Sequence, residues 1–276
     1  MPAAKTLAIL VTTVAVALGP VPASASVAGS DRRANDCQSR GWLHASVAIG
    51  AACTDVRPGG PVWTERVLAD EPCTLNFLFK GYRIDEEGRR VETGTYMGTA
   101  GHCILAEGEE VWAAGEGPPA WDAEDRQLGR FAYSANAGDA DFALIRLDEG
   151  VEASPQMCEF GGPTGINTQL TSDPEIVRYS GQGIGIRDVA SGRQGLARNM
   201  SDPYVVYALG AAINGDSGSP AIDEEGKAVG VVVAIAAQTN PPEANVRITR
   251  LGPQITRAAE LLEMELELQT SPLSAR

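Results

Sequence analysis

Three residues stand in settings that could together carry out acyl transfer. Ser217 lies within Gly215-Asp216-Ser217-Gly218-Ser219-Pro220. A serine hydroxyl is a poor nucleophile unless a base sits beside it. It also needs backbone that can approach a substrate carbonyl and aim N–H groups at the developing oxyanion. Glycines on both sides of Ser217 permit that approach, because glycine has no Cβ to clash at unusual dihedrals. The same hexapeptide has the composition of an ordinary turn, so its meaning depends on partners elsewhere in the chain.

A histidine titrates in the range a base needs near neutral pH, and the chain has two, His44 and His102. His44 has no patterned neighbours, whereas His102 closes Thr99-Ala100-Gly101-His102 and is followed directly by Cys103. The third residue is Asp141, which opens the apolar run Asp141-Phe142-Ala143-Leu144-Ile145-Arg146-Leu147. An acid entering such a run is costly unless a partner offsets its burial. An imidazole N–H is a suitable partner, and a carboxylate there fixes the histidine tautomer. Asp139 is the rival, two positions earlier on the same strand face. Asp141 is preferred because it abuts the run that would bury it.

The elements that must position these residues read as short strands and turns. Cys73 to Lys80 is rich in strand formers, Asp85-Glu86-Glu87-Gly88 is a turn, and Thr93 to Thr99 returns, giving a hairpin that ends at His102. Strands are expected over 128–133 and 141–147, then over 176–180, 204–209, 219–222, 229–237 and 246–251, with a second acidic turn at Asp223-Glu224-Glu225-Gly226. Two groups of strands at similar spacing suggest two barrels or sandwiches. After Pro253 the period changes: Ile255, Ala258, Ala259, Leu262 and Leu266 recur at helical spacing. One amphipathic helix packed on the body should therefore end the fold.

Composition narrows the setting. The 276-residue chain carries a formal charge of −14, which repels phosphate backbones and argues against nucleic acid as a partner. Lys5, the uncharged apolar stretch from Leu7 to Leu18 and Ala23-Ser24-Ala25 have the layout of a secretory signal peptide over residues 1–25. The apolar stretch is short for a bilayer span, so no membrane association is expected once it is removed. Residues 26–65, with Asp31-Arg32-Arg33 and the breaker run Pro58-Gly59-Gly60-Pro61, read as an N-terminal extension or pro-segment. Export would place Cys37, Cys53, Cys73, Cys103 and Cys158 in an oxidising compartment, where disulfides form and an odd count leaves one thiol over. No CxxC spacing occurs, and with two histidines a zinc site has few ligands to draw on; no metal or cofactor is expected.

The three motifs are similar to the Thr-Ala-Gly-His-Cys, Asp-(Ile/Phe)-Ala-Leu and Gly-Asp-Ser-Gly-Gly-Pro motifs of the chymotrypsin/trypsin family of serine proteases. Their chain order is also that of the family, with separations of 39 and 76 residues. The resemblance spans residues 66–268, leaving 269–276 as a C-terminal tail. The few cysteines and the acidic, alanine-rich composition look most like secreted bacterial members of actinobacterial type. It implies an all-β fold of two six-stranded antiparallel β-barrels with a C-terminal α-helix, in a monomeric secreted endopeptidase acting on polypeptide. In the family's mechanism Ser217 is the nucleophile, His102 the base and Asp141 its partner, with the N–H groups of Gly215 and Ser217 as the oxyanion hole. The family also has a disulfide where Cys73 and Cys103 stand, and Cys37 or Cys53 is left to pair with Cys158. Its primary pocket maps by spacing onto Ala211 at the base and onto Val233 and Ile235 on the wall.

Departures from the pattern set further expectations. Ser219 replaces a glycine usual in animal members. No Arg-Ile-Val-Gly-Gly activation site occurs, so Asp216 needs a cation other than a new N-terminal amine, and an internal arginine is the candidate. No cysteine follows Cys158, so the disulfides that brace the family's pocket are missing.

Overall fold

The computed structural model describes residues 48–52, 55–65, 72–105, 109–110, 117–183, 189–198, 200–235 and 245–274. Residues 1–25, where a signal peptide is expected, and His44, Cys37 and Cys53 lie outside the described residues. The side chain of Ile235 is likewise not described.

The first strands are β1 (Ala48–Ala52), β2 (Pro61–Val62), β3 (Cys73–Thr74), β4 (Leu78–Ile84) and β5 (Arg90–Thr99). They are followed by β6 (Glu109–Glu110), β7 (Pro119–Trp121), β8 (Gln127–Ala137) and β9 (Ala140–Leu147). The second half holds β10 (Gly165–Ile166), β11 (Glu175–Gly181), β12 (Val189–Ala197), β13 (Val205–Leu209), β14 (Pro220–Ile222), β15 (Lys227–Ile235) and β16 (Val246–Arg250). Helix α1 (Leu251–Leu261) and a last strand, β17 (Glu265–Leu268), complete the order.

Six of the later strands close a barrel in the order β12-β11-β14-β15-β16-β13, with β13 pairing back to β12. β1 adds to the outside of this ring at β12, and β10 pairs in parallel with β15. The earlier strands form a seven-stranded antiparallel sheet, β17-β4-β5-β9-β8-β6, with β7 also on β8. The all-β architecture with a C-terminal helix is the one the sequence led us to expect.

The strands follow the residues that favour them. β9 is buried at seven of its eight positions, all but Arg146, as suits a central strand in a packed sheet. Three connections share one local design. Asp85, Asp122 and Asp223 each accept the backbone N–H groups two and four residues on. Each turn ends on a cation, Arg89, Arg126 or Lys227. An aspartate that bonds its own downstream backbone offers the chain a turn in place of a ladder. Two of these turns were legible as acidic breaker runs; the third, at Asp122, was not.

The core has two centres. One gathers Leu75, Phe77, Phe79, Met97, Phe131, Tyr133 and Phe142 inside the first sheet; the other gathers Val177, Tyr179, Val206, Val232 and Ile248 inside the closed barrel. β15 serves both, sending Val231 and Val233 to the first and Val229 and Val232 to the second.

One expectation needs adjusting. The helix does not continue to Leu266: it stops at Leu261, Glu263 takes a positive φ of 50°, and 265–268 becomes β17 on β4. Glu265-Leu266-Glu267-Leu268 alternates with period two, with the glutamates exposed and the leucines half-buried. Arg90 on β5 reaches both glutamates. Residues 55–65, placed by sequence in the extension, run against the body: Val62 is fully buried, β2 pairs with β3, and Trp63 bridges Trp121. Among the described residues no helix is long and apolar enough to cross a membrane.

Candidate active site

His102 lies in a single 3-10 turn, Gly101–Cys103, where β5 leaves the first sheet. Two anchors hold it. Ser134 on β8 donates to the Gly101 carbonyl at 3.3 Å, and Asn136 donates to Leu105 just beyond at 3.0 Å. β9 presents Asp141 opposite Asn136, and the Asp141 side chain is 9% exposed. Its Oδ2 lies 2.9 Å from His102 Nδ1, while its Oδ1 accepts the backbone N–H of the same histidine at 3.0 Å. One carboxylate thus fixes both the ring and the backbone of His102. It selects the tautomer in which Nδ1 carries hydrogen and Nε2 is the free base.

Asp139 is elsewhere. Its side chain is 62% exposed, beside Arg247 at 3.5 Å, and its carbonyl accepts from Thr249 and Gln254. The structure therefore brings Asp141, and not its rival, to the histidine.

Ser217 comes from the turn between β13 and β14, and Thr74 ties that turn to the histidine. Thr74 is fully buried. Its N–H donates to the Ser217 carbonyl at 2.7 Å, and its hydroxyl donates to the Gly215 carbonyl at 2.7 Å. Thr99, at the start of the histidine motif, donates to the Thr74 carbonyl at 2.9 Å. The residue before Thr74 is Cys73, disulfide-bonded to Cys103 with Cα atoms 6.3 Å apart. The expected disulfide is present, and it lies next to the histidine. A His102 ring nitrogen and the two sulfurs are within 4.8 Å of one another, but sulfurs bonded to each other are not thiolates and cannot ligate a metal. Cys158 is disulfide-bonded as well; both cysteines left to pair with it lie outside the described residues.

The glycines flanking Ser217 are there for close approach. Gly218 has φ +95°, and a Cβ on it would lie 2.1 Å from the Thr74 carbonyl oxygen and 2.6 Å from Thr99 Oγ1. Gly215 has φ +94° and faces the Gln182 carbonyl. Among the described residues, the N–H groups of Gly215 and Ser217 donate to no acceptor. That leaves them available to an oxyanion. No hydrogen bond joins the Ser217 hydroxyl to the imidazole; such contacts often tighten only when substrate is bound.

Asp216, 1% exposed, holds this turn from beneath. It accepts Ile213 N–H at 2.8 Å and Gly183 N–H at 3.0 Å, and it pairs with the guanidinium of Arg193, itself 2% exposed. The internal arginine that the sequence offered as a candidate partner is Arg193, on β12. Sequence reading did not single out this residue. Nor did it single out Thr74, for which adjacency to Cys73 was the only signal.

Of the expected pocket residues, Ala211 is partly exposed, and its carbonyl accepts the Tyr179 hydroxyl at 2.8 Å. Gly210 is clamped by Asn245, which accepts its N–H at 2.9 Å and donates to its carbonyl at 2.5 Å. Val233 is 4% exposed, with its side chain in the core, so its contact with a substrate would be through backbone.

A two-centred β body in which an Asp–His pair is tied through Thr74 to a glycine-flanked serine turn defines a serine-hydrolase class of site. The family model described as Trypsin matches residues 93–255, more than half of the chain, and the chain belongs to that family. It is a serine endopeptidase, and its substrates are polypeptides. Among solved structures it is similar to a Glu endopeptidase in complex with MPD, at 14% identity and TM-score 0.52, over 80% of this chain and 98% of that one. It is also similar to the chymotrypsin of Cellulomonas bogoriensis, at 17% identity and TM-score 0.45, over 78% and 98%. At 14% identity the likeness to the Glu endopeptidase speaks to the fold alone. No curated protein sequence matches the chain.

Proposed function

We propose that this endopeptidase cleaves peptide bonds through an acyl-enzyme on Ser217 and that it acts outside the cell. Ser217 Oγ attacks the scissile carbonyl while His102 Nε2 takes its proton. Asp141 stabilises the imidazolium that results, and the N–H groups of Gly215 and Ser217 receive the negative charge on the carbonyl oxygen. The tetrahedral species collapses as the leaving amine takes the proton from His102. Water then repeats the sequence in reverse to free the acid and restore the serine. The observation that carries this reading is the buried Asp141 carboxylate on His102 Nδ1 at 2.9 Å, in a loop fastened to the serine turn through Thr74. Secretion rests on the signal-peptide layout of residues 1–25, with cleavage after Ala25. It also accords with a disulfide beside the histidine, since such bonds persist in oxidising compartments.

A serine-directed covalent probe followed by a casein digest tests the activity. Labelling of Ser217 with casein cleavage is expected. No labelling would favour a binding protein on this fold, and ester turnover without peptide cleavage would favour an esterase.

Cleavage after arginine or lysine should be poor. The base of the primary pocket is Ala211, between Gly210 and Ala212, and none of them carries charge. A buried substrate cation without a counter-charge is strongly disfavoured. With Ile235 mapping where the family has glycine, small or medium apolar residues should be preferred before the cut. Profiling a peptide library checks this, and dominant cleavage after basic residues would sink it.

A further inference from the structure

The N–H, the carbonyl and the hydroxyl of the fully buried Thr74 each bond to a segment that carries the chemistry. Two of these bonds, from its N–H to the Ser217 carbonyl and from the Thr99 hydroxyl to its carbonyl, run through backbone and would survive a change of side chain. The hydroxyl does something that depends on the residue type. It accepts the N–H of Gln182, just past β11, at 3.1 Å and donates to the Gly215 carbonyl at 2.7 Å. A hydroxyl has one hydrogen. The amide N–H can only donate, so that hydrogen is left for the carbonyl. The direction of the chain from Gln182 through Thr74 to Gly215 is therefore fixed.

We propose that the Thr74 hydroxyl makes Thr74 a positioning residue for the oxyanion hole, holding the Gly215 carbonyl inward so that the N–H of the same glycine faces the substrate. Gly215 does not hold itself. It sits at φ +94°, and a glycine meets little steric resistance to turning away from that angle. Its orientation has to come from outside. The peptide that follows it is fixed at both ends, by the Thr74 hydroxyl on its oxygen and by the Asp216 N–H on the Ile213 carbonyl at 3.1 Å. Gln182 closes the other side, where a Cβ on Gly215 would fall 3.1 Å from the Gln182 carbonyl oxygen.

The bond between Gln182 and Thr74 joins these two grips on the glycine. Without the hydroxyl, a buried carbonyl loses its donor and a buried N–H loses its acceptor, which is costly for both. The Gly215 carbonyl is then free to turn, and its N–H swings off the place where an oxyanion forms. Thr74 is also anchored to the base, because its neighbour Cys73 is bonded to Cys103, the neighbour of His102. One residue thus aims the hole and ties it to the histidine.

Thr74→Val tests the proposal, since valine keeps the shape and both backbone bonds and removes the hydroxyl alone. Deleting a whole oxyanion donor lowers kcat by about 10²–10³. Misaiming one should lower kcat by about ten- to a hundredfold per active site counted by titration. KM should change little, because the contact exists only in the transition state. A peptide aldehyde, whose adduct with Ser217 puts a tetrahedral oxygen in the hole, should lose affinity by a similar factor. Thr74→Ala removes the same hydroxyl with a smaller side chain and should match Thr74→Val in both readings. Thr74→Ser keeps the hydroxyl and should stay within about threefold of the wild type in both. A merely structural role would leave fewer titratable sites, each with wild-type kcat, and that result overturns the proposal. So does a Thr74→Ser enzyme as impaired as Thr74→Val. The inference rests on the oxyanion reading of Gly215 and Ser217. Failure of that reading shows separately, as a wild-type enzyme that the aldehyde does not inhibit.

Discussion

Replacing Ser217 by alanine should lower kcat by about a thousandfold or more, and His102→Ala and Asp141→Asn should each do the same. In the proposed mechanism the three act as a unit: without the hydroxyl no acyl-enzyme forms, and without the imidazole no base takes its proton. With asparagine at 141, the amide N–H₂ group that faces Nδ1 favours the wrong tautomer. The Ser217→Ala/His102→Ala double variant should then be no worse than either single change, because losses within a unit do not add. Asp139→Asn should change little, since that side chain is 62% exposed and its main polar contacts run through its backbone carbonyl. Steady-state kinetics with a peptide substrate and active-site titration decide the matter. A crippled Asp139→Asn enzyme beside a healthy Asp141→Asn enzyme would refute the assignment.

Arg193→Met should be nearly as damaging by a different route. It leaves Asp216 1% exposed with its charge uncompensated, and breaking a buried pair in this way costs about 3–5 kcal/mol. For a domain of this size that corresponds to a Tm lower by about 10 °C. Activity should drop about a hundredfold with a smaller change in KM, because Asp216 is what fixes Ile213 and Gly183 around the turn. The Arg193→Met/Asp216→Asn pair should regain much of the Tm, since removing both charges removes the unpaired one. It should not regain the activity, because the turn has still lost its anchor. Thermal melts alongside kcat and KM for the three variants separate these effects, and a wild-type Tm for Arg193→Met would show that the pair is not the anchor.

The three candidate site residues could be picked out in the sequence because each carries a local signature. Glycines around Ser217, a cysteine after His102 and an acid at the mouth of the run 141–147 are patterns that a strand-and-turn chain shows within a few residues. The hairpin of β4 and β5 and strands β8, β9, β11 and β13 to β16 were legible for the same reason: runs of strand formers bounded by turn residues mark them locally. β12 left no such trace. Its inward positions are Ser191, Arg193, Gly195 and Ala197, and an arginine facing inward makes sense only once Asp216 arrives from another loop. The end of the fold misled for a related reason. Leu262 and Leu266 satisfy a helical period, yet Leu266 and Leu268 equally satisfy a strand. The open edge of β4, with Arg90 waiting on β5, decided between them. Thr74 belongs to the same group, an ordinary threonine by sequence. The sequence by itself determined which residues could do the chemistry and the class of fold that holds them. Only the tertiary structure decided what steadies them, because a buried charge or hydrogen bond takes its meaning from partners that can lie more than a hundred residues away in the chain.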